Sequence, residues 1–163
     1  MTPVDPIPIL RGSELKAKHF LWIFLGLAVL LVVFIWGNSL LSKEASSGAS
    51  GSISAWLKRI LDPSDRIPKE DFHIAIRKMA HFAEFTVLGL CCGGLFLCYG
   101  RETGKQYYAL PILLVLLVAV LDEWIQIFSD RGSRVNDILL DFAGAATGLL
   151  VMFVISRLRK KRR

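Results

Sequence analysis

An all-α, polytopic membrane protein is the fold class that the sequence predicts: a four-transmembrane-helix bundle with a short interfacial amphipathic helix in the first outer loop. Three observations predict it. The 163-residue chain is 53% hydrophobic, and its apolar residues gather in four runs, 20–36, 82–99, 107–128 and 138–155. Each run is long enough to span most or all of a hydrocarbon layer about 30 Å thick. Charge, finally, is excluded from long stretches, with no Lys, Arg, Asp or Glu between Lys18 and Lys43. The expected division is a cytoplasmic N-terminal segment (1–19), a four-helix membrane domain (20–156) with helices near 20–37, 79–99, 107–128 and 138–156, and a basic cytoplasmic tail (157–163).

The first run, FLWIFLGLAVLLVVFIW (20–36), follows Arg11, Lys16 and Lys18, as the core of a secretory signal would. Its apolar core exceeds the usual 7 to 15 residues of a signal, and the small residues SSGASGS (46–52) lie well beyond it, so a retained helix is expected. NSLLSKEASSGASGS (38–52) is flexible in composition. ISAWLKRIL (53–61) then sets Ile53, Trp56, Leu57, Ile60 and Leu61 on one helical face, with Lys58 and Arg59 opposite. That pattern predicts a short helix in the membrane interface with Trp56 at headgroup depth, or one packed on the outer ends of the bundle. Pro63 and Pro68 interrupt the chain, and a helix starting near Lys69 runs into the second span.

Orientation follows from basic flanks. Arg11, Lys16 and Lys18 precede the first span, Arg101 and Lys105 follow the second, and the tail RLRKKRR (157–163) holds six of the 20 basic residues. Four spans return the chain to its starting side, so both termini are expected in the cytoplasm of a multi-pass cell-membrane protein. The tail faces anionic lipid, and no soluble domain offers its charge to nucleic acid. Cys91, Cys92 and Cys98 lie within the second span and carry no disulfide or metal spacing. Gly89 and Gly93, and Gly144 and Gly148, form small-xxx-small pairs that permit close helix approach.

Polar residues converge at one level. Lys78, His81 and Glu84 open the second span, Asp122, Glu123 and Gln126 close the third, and Asp137 and Asp141 open the fourth. Arg131 and Arg134 lie in the loop between, and Asn38, Ser39 and Ser42 end the first span. Such groups are costly in lipid and must face one another. An electrostatic clasp, with Arg131 and Arg134 neutralising Asp122, Asp137 or Asp141, accounts for two or three charges. A cavity open to the outer leaflet accounts better for the whole set. Two chemistries suit the inventory. His81, Glu84 and Glu123, with Asp122 and Asp137 nearby, are a set for a divalent metal, although no spacing is metal-specific. Alternatively Lys78, Arg131 and Arg134 bind a phosphate or carboxylate, with His81 or a carboxylate as general base.

RKMAHFAEF (77–85), DEWIQ (122–126), the loop arginines, DILLDFAG (137–144) and the Asn38, Ser39 and Ser42 cluster together resemble the VanZ-like family of bacterial membrane proteins. The resemblance spans about residues 20–155. That family takes its name from a member linked to resistance to teicoplanin-type glycopeptide antibiotics. Its members often carry a hydroxylated aromatic where this chain has Phe85, and asparagine where it has Asp141. The resemblance implies an outer-face role at the cell envelope and no established reaction.

The expected function is an integral membrane protein whose outer-face pocket binds a lipid headgroup, a lipid-linked envelope precursor or a lipophilic glycopeptide, contributing to glycopeptide resistance. The ligand-binding candidates are Asn38, Ser39, Lys78, His81, Glu84, Asp122, Glu123, Gln126, Arg131, Arg134, Asp137 and Asp141. Two alternatives stay open: a membrane-embedded hydrolase or transferase using His81, Glu84, Asp122 and Glu123, and a scaffold whose charges serve only packing. A channel is disfavoured, since nothing polar continues along the inner half of the spans.

Overall fold

The computed structural model describes residues 8–41, 43–129 and 134–161, with side chains described for 18–41, 51–129 and 134–161. Its helices are α1 (Pro8–Leu40), α2 (Lys43–Leu61), α3 (Lys69–Thr103), α4 (Ala109–Ile127) and α5 (Val135–Lys161), with no strand among the described residues. The helices α1, α3, α4 and α5 each contain a stretch long and apolar enough to cross a membrane. The start of α3 at Lys69, one residue past Pro68, is where the sequence puts it. At about 52 Å, α3 exceeds a 30 Å hydrocarbon layer. Its far end is closed by Gly104, whose φ of 68° is the left-handed conformation that glycine adopts without strain.

Two boundaries differ from expectation. Helix α1 already begins at Pro8, because a proline in the first turn costs no hydrogen bond and Leu, Glu, Lys and Ala that follow are good helix formers. The segment expected to be flexible is helical from Lys43 onward. Each serine or glycine there costs only a fraction of a kcal/mol to about 1 kcal/mol in a helix. Propagation from a formed helix also needs no new nucleus. Helix α2 is thus twice as long as the amphipathic nonapeptide implies.

The side that α2 turns to the protein is polar. Ser54 and Lys58 are buried, whereas Ile53, Trp56, Ile60 and Leu61 are each more than half exposed. The apolar stripe therefore points away from the bundle, the arrangement of an interfacial helix. Lys58 ties α2 to the following turn: Nζ lies 2.8 Å from Asp62 and 2.6 Å from Asp65, and donates to the Ile67 carbonyl at 2.6 Å. The Asp62 carboxylate in turn accepts from the Arg66 and Ile67 backbone N–H groups at 3.0 and 2.9 Å. These contacts, the Lys58 ammonium first, hold the Asp62 carboxyl down at about 2. Its folded value lies below the unfolded one, so the turn keeps its full stabilisation above the ordinary carboxylate range and loses it as pH falls through about 2. Hydrogen exchange should show the Arg66 and Ile67 amides protected at a pH of about 3, unprotected below about 2, and unprotected at neutral pH in Asp62→Ala. Loss of protection already at a pH of about 4 would contradict this assignment.

Helix α3 is the hub of the bundle. It shares its largest interface with α5 and also packs on α1, α4 and α2, while α4 bridges α1 and α5. Ile35, Phe85, Leu88, Val115, Ala119 and Ala145 form the buried centre. Around it, large apolar side chains such as Leu30, Val33, Leu113, Leu117 and Leu150 face outward. Such an apolar belt belongs in hydrocarbon rather than water. Along the α3–α5 seam, Gly89 lies against the Ala145 backbone, Gly144 against the Phe82 carbonyl, and Gly148 against Thr86 and Leu90 backbone atoms. The two helices therefore touch main chain to main chain, as the glycine spacing predicts.

Candidate functional site

The polar residues of four helices meet at the bundle end where α1 and α4 finish and α5 starts. Asp122 is the hub. One carboxylate oxygen accepts from Ser39 Oγ at 2.6 Å and the other from Gln126 Nε2 at 2.9 Å. Gln126 sits one turn after Asp122, which places both on the same helix face. Its Oε1 accepts a long hydrogen bond, 3.4 Å, from Arg77 Nη2 on α3. Ser129 Oγ donates to the Ser39 carbonyl at 2.8 Å, closing α4 back onto α1. Asn38 is half-buried beside Ser39.

The second half of the cluster joins α3 to α5. Lys78 Nζ pairs with Asp137 at 3.2 Å, and His81 Nδ1 stands 3.9 Å from Asp141 Oδ1. Glu123 Oε2 accepts from the Arg134 backbone N–H at 3.0 Å. Ser39, Asp122, Glu123, Gln126 and Asp141 are buried, none more than 3% exposed. Lys78 and Arg134 are exposed, and Arg77, His81 and Glu84 are partly so. The cluster thus has an acidic floor and a largely cationic rim. Asp141 lies within electrostatic reach of Asp122, Glu123, Asp137 and Glu84, so negative charge dominates the floor.

Most residues expected at the site are brought together, though several partnerships differ. Helix α3 adds contacts of its own, from Lys78 to Asp137 and from Arg77 to Gln126. Arg134 holds Glu123 by its main chain, and Arg131 and Ser42 lie outside the described residues. Of the metal set expected from sequence, His81, Glu84 and Glu123 with Asp122 and Asp137 nearby, the structure groups His81 and Asp122 with Asp141, ligand atoms within 4.8 Å of one another. Glu123 accepts from the Arg134 amide, and Glu84, three residues past His81, is half-buried and outside that group. Arg77 and Ser129 were missed. Arg77 carried a signal, since it precedes His81 by one turn; Ser129 carried none.

Neither of the two cavities described includes this buried floor. One, about 570 Å³, opens between α2 and the first turns of α3 beside Lys58 and His73. The other, about 1030 Å³, is a cleft among α3, α4 and α5 at the opposite end, with Arg101, Arg159 and Lys160 at its rim.

A family model described as VanZ/LLP1 matches residues 21–156, most of the chain and all of the polar cluster. Comparison with curated proteins and with solved structures gave no match.

Proposed function

The chain belongs to the VanZ/LLP1 family, and on that premise we propose that it binds the polar head of an envelope lipid, a lipid-linked precursor or a lipophilic glycopeptide at the polar end of its bundle. In this reading it is a multi-pass protein of the bacterial cell membrane, with both termini in the cytoplasm and the cluster at the outer leaflet. The exposed apolar face of α2 lies in the outer interface beside it. At the opposite end, Arg101, Arg159 and Lys160 face the anionic inner leaflet. A role in glycopeptide resistance would follow from competition for, or shielding of, a lipid-linked wall precursor.

One observation carries the reading: a buried acidic floor assembled from three helices lies beneath cationic side chains, Lys78, Arg77 and Arg134, that are exposed or half exposed. A packing clasp needs no exposed cations, whereas an anionic headgroup does. The purified chain, titrated with a polyprenyl phosphate, phosphatidylglycerol and phosphatidylcholine, should bind the two anionic lipids at least about tenfold more tightly than the zwitterionic one. Equal affinity for all three would overturn the reading.

A second reading, in which the cluster serves packing alone, is favoured by the hydrogen bonds that both Asp122 carboxylate oxygens accept, from Ser39 and Gln126. It predicts that binding, if any, is indifferent to the rim.

A further inference from the structure

We infer that His81, Asp122 and Asp141 form a site for one divalent transition-metal ion at the floor of the polar cluster. The three residues come from α3, α4 and α5, and each offers a ligand atom within 4.8 Å of the others. Ligands bonded to one ion at about 2.1 Å lie no further apart than about 4.2 Å. Three ligands on one tetrahedral ion sit about 3.4 Å apart, so the trio closes on an ion with its widest pair drawing together by at most about 1.4 Å.

A second observation points to a ligand independently of that spacing. Asp141 is 1% exposed, and neither of its carboxylate oxygens receives a hydrogen bond among the described residues. Buried carboxylates are ordinarily satisfied by several donors, and one without them carries a large desolvation cost. The ammonium in the vicinity, Lys78, is engaged with Asp137. An ion placed between Asp141, His81 and Asp122 supplies the missing positive charge to both acids at once.

The surroundings match what a metal ligand needs. Asp122 is oriented on both oxygens by Ser39 and Gln126, as the carboxylate ligands of metal ions usually are by their neighbours. Packing fixes the other two: Gly144, three residues after Asp141, rests on the carbonyl of Phe82, the neighbour of His81. One imidazole and two carboxylates suit manganese, iron or zinc, whereas a nitrogen ligand disfavours calcium and magnesium. Three protein ligands leave coordination positions free. That a phosphate oxygen of the lipid head fills one of them rests on the lipid reading above; the ion site itself does not.

The test uses the full chain in detergent, stripped with a chelator and then titrated with Mn²⁺ or Zn²⁺ alone. Bound metal is counted by mass spectrometry and Mn²⁺ is followed by its paramagnetic resonance. One ion per chain is expected, with affinity falling at least about tenfold in Asp141→Asn and in His81→Gln, and unchanged in Glu102→Gln at the far end of α3. Asp141→Asn keeps the shape of the side chain, so it also serves where His81→Gln fails to fold. Absence of stoichiometric metal in the wild type, or wild-type affinity in Asp141→Asn, would overturn the site. Lipid binding measured in chelator separates the two claims: retained anionic preference there leaves the lipid reading standing whatever the metal result.

Discussion

Gly148→Ala is expected to destabilise the protein by about 3 kcal/mol, and Gly148→Leu to leave no folded bundle. A Cβ at position 148 would fall on the Thr86 carbonyl oxygen, the Leu90 backbone nitrogen and the Gly89 carbonyl carbon. Side chains can rotate away from such a clash, but helical backbone cannot. The helices α3 and α5 must part along their whole seam, losing dispersion contacts on either side of the added methyl. Against this stands a gain of about 1 kcal/mol in helix propensity. Gly26→Ala and Gly37→Ala isolate that gain, because a Cβ at either position has nothing within 4 Å. Those two should melt at or slightly above the wild-type temperature. Thermal unfolding followed by tryptophan fluorescence reads all three, and a wild-type melting temperature for Gly148→Ala would contradict the main-chain contact.

Asp122→Ala is the second large effect, expected at about 3 kcal/mol. It leaves Ser39 Oγ and the Gln126 amide without their acceptor in a fully buried place. Each orphaned donor costs about 1–3 kcal/mol. Ser39→Ala alone should cost about 2 kcal/mol, the worth of a hydrogen bond to a carboxylate. The double variant should fall short of the sum by about 1–3 kcal/mol, since the two residues share one bond. Additive losses in that cycle would mean the 2.6 Å contact contributes nothing. Replacing Ser39, Asp122 and Gln126 together by Ala, Leu and Leu removes both donors and acceptor, so it should return most of the stability. The same triple variant should bind no metal, which separates stability from metal binding on a single protein.

How much of this was legible in the sequence can be followed residue by residue. The four spans and the start of α3 were plain, since length, hydropathy and Pro68 act locally. The polar residues of the floor were plain too, because Asp122, Glu123 and Asp141 interrupt or border apolar runs where charge is costly. Who meets whom was not. Spacing along one helix assigns a face, yet the rotation between helices is set by where glycines allow the backbones to touch. That contact brings Asp141 to His81. A main-chain donor carries no residue-type signature, so the bond from the Arg134 amide to Glu123 was invisible. The amphipathic pattern of α2 was read correctly, but which side meets the protein depends on Lys58 having Asp62, Asp65 and Ile67 to satisfy it.

The account stands on the rim and floor acting as a headgroup site rather than as packing. Lys78 and Arg134 are exposed, so Lys78→Ala with Arg134→Ala should shift stability by no more than about 1 kcal/mol. The direct measurement is the affinity of this double variant for a polyprenyl phosphate, taken beside its melting temperature. The expected result is affinity lowered at least about tenfold at a near-native melting temperature. Wild-type affinity in the folded double variant would contradict the headgroup site and leave the cluster as a clasp.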